Sequence, residues 1–264
     1  MFEGKLLDGE LNGKYKEYYN NGNIKFKGEC LKGKKWNGKE YDKNDNKKYK
    51  LQNGNGFIKE YNLNHKNQLE FEGEYLNGEK WKGKYRKYDN YNITTLYYIP
   101  TFYDIPTFEG NYLNGLLNGK CREYIEGHFF EGEYLNGKKN GKWKAYYSYD
   151  KLLVEGQYLD GEKYGIWKEY DEDGKLIFEG EYLNGKKHGK CKEYNSDGKF
   201  EYEGEYLKGR RNGIGKEINY SFKDLIVISE GEFLNGKLWK GKVTQFHNEK
   251  LIKEEKYLNG IKIK

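Results

Sequence analysis

Hydrophobic and polar positions alternate along this chain in short runs that keep returning. In FEGEYLNGKKHGKCKEY, residues 178–194, Phe178, Gly180 and Tyr182 alternate with Glu179 and Glu181. An Asn-Gly pair follows, and a second run sets Cys191 and Glu193 against Lys190, Lys192 and Tyr194. Alternation of period two, bounded by Asn-Gly and Asp-Gly pairs that tolerate positive φ, predicts antiparallel hairpins with tight turns. The unit returns as FEGEYLNGEKWKGKY at 71, FEGEYLNGKKNGKWKAY at 130 and YEGEYLKGRRNGIGKEI at 202. The Glu-Gly glycine marks each copy, at Gly4, Gly28, Gly73, Gly110, Gly132, Gly156, Gly180, Gly204 and Gly231, most often 24 residues apart. That period is too short for paired helices and suits one hairpin per repeat. The expectation is an all-β, elongated single-layer antiparallel meander of about ten hairpin repeats, one array over residues 1–264.

Alternation sorts each repeat onto two faces. Phe178, Gly180, Tyr182, Gly189, Cys191 and Glu193 share one; Glu179 and Glu181 face Lys190, Lys192 and Tyr194 on the other. Phe130, Tyr134 and Trp143 repeat the first set, as do Val154, Tyr158 and Trp167. One face is thus an aromatic stripe with glycine gaps, in which a neighbouring ring can lie over the backbone, and the other is a Glu/Lys ladder. A bulge of one residue per repeat would exchange residues between the faces. Loops after the first strand of a repeat are often basic, at Lys34, Lys35, Lys138, Lys139, Lys186, Lys187, Arg210 and Arg211. Loops after the second lean acidic or amide-rich, at Asp42, Asp45, Asp171, Asp173 and Asp197, so a basic rim and an acidic rim are expected on opposite edges.

Composition changes this picture in three ways. Only 35% of the 264 residues are hydrophobic and 34% are charged, yet 17% are aromatic and only two are Pro, so order must come from strand pairing and stacked rings. The net charge of +6 sets 48 basic against 42 acidic residues, a modest excess. Cys121 and Cys191 share a repeat position and fall roughly 29 Å apart along the sheet, too far for a disulfide, while Cys30 takes a place other repeats give to Tyr. All three read as reduced, small hydrophobes. With no long apolar run, the expectation is a cytoplasmic protein, soluble or peripheral to a membrane.

The repeated Glu-Gly-x-Tyr, Asn-Gly and Gly-Lys unit resembles the MORN repeat, closest to its second, Lys- and Tyr-rich variety with Gly-Lys-x-Lys-Glu-Tyr; Gly213-Ile-Gly215 resembles the first variety. The resemblance covers nearly the whole chain, departing at YKLQNGNGF, 49–57, and after Tyr88. It implies twisted β-sheet scaffolds, often dimeric, some of which associate with anionic phospholipids. Some bacterial proteins of the second variety are similar to antitoxins that neutralise a partner toxin. Elsewhere MORN arrays are joined to enzymes such as lipid kinases and methyltransferases, and this chain carries no such catalytic domain.

Catalytic chemistry finds little support. His65, His128, His188 and His247 lack metal-ligand spacing, and the Glu-Gly-Glu pairs recur in every copy as structural elements would. GRRNGIGK, 209–216, has the wrong glycine spacing for a phosphate loop, and Glu217 stands where Ser or Thr would meet magnesium. No cofactor, metal or catalytic residue is expected. Nucleic acid is disfavoured because strand lysines mostly face glutamates. The expected function is a non-enzymatic scaffold for protein–protein interaction. The alternatives are attachment to anionic phospholipid through the basic rim and antitoxin-like neutralisation of a partner.

Candidate protein-contact residues are Tyr97, Tyr98, Phe102 and Tyr103, in an aromatic insertion at 92–107, with Tyr134, Trp143, Tyr158, Trp167 and Tyr182 on the aromatic face. Candidate lipid-contact residues are the eight basic rim residues. The strand opening at Phe2 is expected to expose an unpaired edge open to self-association.

Overall fold

The computed structural model describes residues 2–44, 46–62, 68–88, 106–125, 127–147, 151–221 and 224–263. Among them the chain is all-β, with 23 strands from Phe2–Leu7 to Ile261–Ile263 and no helix. The ladders are antiparallel and join strands adjacent in sequence. One departure is Phe108–Leu113, which pairs with both the two-residue strand Leu116–Leu117 and the following Gly119–Ile125. This is the predicted meander. Two compact units divide it, residues 1–127 with 133–138 and residues 128–132 with 139–264.

The hairpin of Leu176–Leu183 and Lys186–Tyr194, in the second unit, shows how sequence becomes register. Only Asn184 (φ 51°) and Gly185 (φ 73°) form the turn, both left-handed as a type I′ turn requires. The strands therefore run closer to the turn than the LNGKKH loop suggested, and Leu183 pairs Lys186, Tyr182 pairs Lys187 and Glu181 pairs His188. Gly189 and Lys190 then bulge out, and pairing resumes at Gly180–Cys191. A bulge of two residues preserves alternation, so the two faces survive as read. Glu181 faces His188 and not Lys190, a correction that comes from the bulge.

Tryptophan bulges behave differently. In the hairpins carrying Trp36, Trp81 and Trp239 a single residue is skipped, with pairs Glu29–Asn37 then Cys30–Lys35, Glu74–Lys82 then Tyr75–Lys80, and Glu232–Lys240 then Phe233–Leu238. Parity flips across that skip. Lys35 and Lys80 consequently land opposite Cys30 and Tyr75 on the aromatic face.

Turns also bind each hairpin to the one before it. The Gly185 amide donates to the Lys163 carbonyl at 3.1 Å, and Gly209 to Lys187 and Gly236 to Arg211 at 2.8 Å each. In the first unit Gly33 donates to Leu11 at 2.9 Å and Gly78 to Gly54 at 2.8 Å. At the other kind of connection Asp171 Oδ1 accepts from the amides of Asp173 and Lys175, and Asn195 Oδ1 from those of Asp197 and Lys199. Part of the expected acidic rim is thereby engaged in holding its own turns.

Each unit has its own aromatic core. Tyr15, Phe26, Cys30, Leu51, Ile58, Phe71 and Tyr75 cluster in the first; Trp167, Phe178, Cys191, Tyr202, Tyr206 and Phe233 cluster in the second. Glycine serves this packing as predicted: a Cβ on Gly132 or Gly156 would collide with the indole of Trp143 or Trp167. Where Gly204 faces Gly215, the Tyr202 ring covers both.

Candidate binding surfaces

The aromatic face is closed by its own charges. Lys139 Nζ lies 4.0 Å from the Trp143 ring centroid, Lys163 Nζ 4.2 Å from Trp167, Lys187 Nζ 3.8 Å from Phe178, and the Arg211 guanidinium 4.1 Å from Tyr202. Carboxylates on the same face hold these cations. Lys187 and Arg211 reach Glu193 at 2.9 and 2.7 Å, Lys163 reaches Glu169 at 3.7 Å, and Arg211 also pairs with Glu217. Tyrosine hydroxyls complete the set, Tyr206 donating to Glu193 at 2.7 Å and Tyr182 to Glu169 at 3.2 Å. In the first unit Lys35 meets Glu17 at 2.7 Å, Lys80 meets Glu60 at 3.1 Å, and Tyr75 donates to Glu60 at 2.6 Å. Lys35, Lys80, Lys163, Lys187 and Arg211 thus each cover a ring and meet a half-buried acid at once.

Titration follows from these contacts. Burial would raise the Glu17 carboxyl, but Lys35 and Lys25 outweigh it and hold the group at about 2. Burial works against Glu193 in the same way, and Arg211 and Lys187 still depress it. Glu40 is the exception. It is 2% exposed, its Oε1 has no hydrogen-bond partner among the described residues, and burial pushes it up to about 7 although the Lys59 amide donates to Oε2. Burial likewise pushes the Cys191 thiol up to about 11, in keeping with an inert thiol; Cys30 and Cys121 are also buried and unbridged.

These positions change the standing of the residues chosen from sequence. Trp143 and Trp167 are 2% exposed and spend their surface on packing, so as placed they offer a partner nothing to touch. Tyr134, Tyr158 and Tyr182 are half-buried among the same rings. Tyr97, Tyr98, Phe102 and Tyr103 lie outside the described residues. The basic rim splits in two: Lys34, Lys138, Lys186 and Arg210 are exposed, while Lys35, Lys139, Lys187 and Arg211 turn inward over rings. Alternation explains the split, since consecutive residues after a type I′ turn point to opposite faces.

Sequence reasoning read the outer face as a Glu/Lys ladder and missed the apolar row beside it. The leucine before each type I′ turn stays 37–59% exposed at Leu7, Leu31, Leu76, Leu113 and Leu135 in the first unit and at Leu159, Leu183, Leu207, Leu234 and Leu258 in the second. The signal was present, because the repeat reads Tyr-Leu-Asn-Gly and Leu is one step out of phase with the buried Tyr. Ile166 and Ile214, 51% and 62% exposed, stand on the same face of the second unit opposite Glu181 and Glu232. Between these isoleucines runs an open groove of about 630 Å³ over Gly180, Gly204 and Gly215, walled by Lys190, Lys192, Glu203 and Glu205. Backbone at these glycines makes the floor, and lysines and glutamates make the walls.

A repeat hairpin with Glu-Gly-x-Tyr strands, Asn-Gly turns and Gly-Lys returns now stands in three dimensions. The family model for the MORN repeat matches residues 108–127, 130–142, 178–200 and 202–220, segments that fall in both units. No curated protein matches the chain in a sequence comparison. MORN repeats serve as binding and scaffold modules, and no helix among the described residues is long and apolar enough to cross a membrane.

Proposed function

We propose that the chain is a non-enzymatic scaffold that binds a protein partner through the outer face of its second unit. The observation that carries this reading is the row of exposed leucines, from Leu159 to Leu258, flanked by Ile166 and Ile214 beside the glycine-floored groove. An apolar row that the fold leaves in water, bordered by neutralised Lys–Glu pairs, has the make-up of a protein contact surface: apolar anchors within a polar surround.

Attachment to anionic lipid is less well supported. Four of the eight rim cations are engaged over rings, and the residue paired with the turn leucine is acidic at Glu10, Glu79 and Glu162 as well as basic at Lys34, Lys186, Arg210 and Lys237. Mixed signs weaken attraction to a negative surface. Neutralisation of a toxin is one form the protein-binding role can take, and the partner's identity decides it.

The test is a pull-down of the tagged intact chain from its native cells at low and moderate salt, with proteins and lipids both identified. The expected result is one stoichiometric protein that survives salt and is lost from a Leu183→Asp, Leu207→Asp variant. Recovery of anionic lipid alone, released as salt rises, would overturn the reading.

A further inference from the structure

The Glu/Lys ladder of the outer face gives way to a run of lysines at the start of the first unit. Along the second unit the cross-strand row reads Lys144, Glu155, Lys168, Glu179, Lys192, Glu203, Lys216, Glu230, Lys242 and Lys256, each residue directly opposite the next, with like charges opposed only at the last step. Ion pairs close at Lys144–Glu155 (3.4 Å), Lys168–Glu179 (3.3 Å) and Lys192–Glu203 (3.2 Å). The equivalent row over the first five strands of the first unit reads Glu3, Lys16, Lys27, Lys39 and Lys50, whereas Lys59, Glu72 and Lys84 further on alternate again. Lys16 reaches Glu3 at 3.2 Å. Lys27, Lys39 and Lys50 are exposed, and none has a carboxylate within ion-pair distance among the described residues.

Like charges directly opposite on a sheet are destabilising, so the consecutive steps Lys16–Lys27, Lys27–Lys39 and Lys39–Lys50 cost more stability than the single Lys242–Lys256 step of the other unit. The row lies along an open groove of about 650 Å³ over Gly28 and Gly38, whose lining adds Lys14 and Tyr41 and contains a single acid, Glu29. The same fold elsewhere shows what completes such a row: a carboxylate between each pair of ammonium groups. We propose that an extended acidic segment of a protein partner lies across this groove and supplies in trans the carboxylates that Glu155, Glu179 and Glu203 supply within the second unit. The proposal rests on the protein-binding reading for the class of partner, but it uses a different surface.

A fluorescein-labelled peptide of alternating Glu and Ser, titrated with the intact chain and followed by anisotropy at two salt concentrations, tests it. The wild type is expected to bind, more weakly at the higher salt. Lys27→Glu with Lys50→Glu restores alternation, so it should lower affinity roughly tenfold or more while raising Tm, which separates lost binding from lost fold. Lys43→Glu with Lys250→Glu changes net charge equally away from the row and should leave affinity within about twofold.

No binding by the wild type, or equal binding by the alternating variant, would overturn the proposal while leaving partner capture by the second unit intact. Tighter binding of single-stranded oligo-dT or of phosphatidylserine vesicles, lost in the same variant, would also overturn it by assigning the row to a phosphate ligand.

Discussion

The two units share an inner face and differ on the outer one. Rings over glycine, a cation over each ring and an acid under each cation recur in both, from Phe26, Lys35 and Glu17 to Phe178, Lys187 and Glu193. The glycine-floored outer grooves are nearly equal, about 650 and 630 Å³, so shape does not distinguish them. Charge does: the first is lined by Lys14, Lys16, Lys27, Lys39 and Lys50 against Glu29, the second by alternating lysine and glutamate between two isoleucines. The inner face is where the repeat must repeat, because every ring needs its neighbour. The outer face faces water, and there the copies are at liberty to differ.

If the inner faces are equivalent, breaking either should be about equally costly. Phe71→Ala in the first unit and Trp167→Ala in the second each remove a ring that is 2% exposed or less, and each should lower stability by about 3–5 kcal/mol in denaturant melts. A loss confined to one unit would end the equivalence.

A smaller effect separates the units by pH. The Glu40 carboxyl rises from 4.5 to about 7 in the folded chain. Its contribution is therefore fully present below pH 4.5 and is lost as pH climbs through 7, a swing of roughly 3 kcal/mol at 1.36 kcal/mol per pH unit. Glu17, held at about 2, acts with the opposite sign, stabilising above pH 4.5 and losing that contribution as pH falls toward 2. Glu40→Gln should thus be more stable than the wild type at pH 8 and lose most of that advantage at pH 4.5, read as the Tm difference between the two. A pH-independent difference would mean that Glu40 is not the buried acid described here.

Much of the inner face was legible in the sequence. Repeat phase, positive-φ turns at Asn-Gly, glycine under rings and the cysteines as small hydrophobes follow from alternation and Asn-Gly spacing alone. Two things were hidden. Whether a bulge skips one residue or two sets which residues face each other beyond it: one is skipped where Trp36 lies two residues before Gly38 and two where Cys191 lies two residues after Gly189, although the second residue after the turn, Lys35 or Lys187, faces inward in both. Cross-strand partners also require register, so the Lys27–Lys39–Lys50 row cannot be seen by reading single repeats. The aromatic residues drew attention as binding groups because they are conspicuous in sequence, yet Trp143 and Trp167 are the packing itself.

On the outer face the expected changes in stability are smaller still. Lys27→Glu with Lys50→Glu replaces opposed lysines with opposed pairs and should stabilise the chain by roughly 0.5–2 kcal/mol. Leu183→Ser with Leu207→Ser should change stability by no more than about 0.5 kcal/mol, even as partner capture falls. A large loss of stability from these leucines would show that they pack, and that the outer row is no surface at all.

The central claim is that alternation after the turns before Lys34, Lys138, Lys186 and Arg210 leaves the first basic residue in water and sends the next inward over a ring. Amine-reactive labelling of the intact chain, quantified residue by residue by mass spectrometry, tests it directly. Lys34, Lys138 and Lys186, with Lys27, Lys39 and Lys50, should label quickly, and Lys35, Lys139, Lys163 and Lys187 should lag by roughly tenfold, as expected for amines held against rings and carboxylates. Equal labelling of Lys186 and Lys187 would contradict the account.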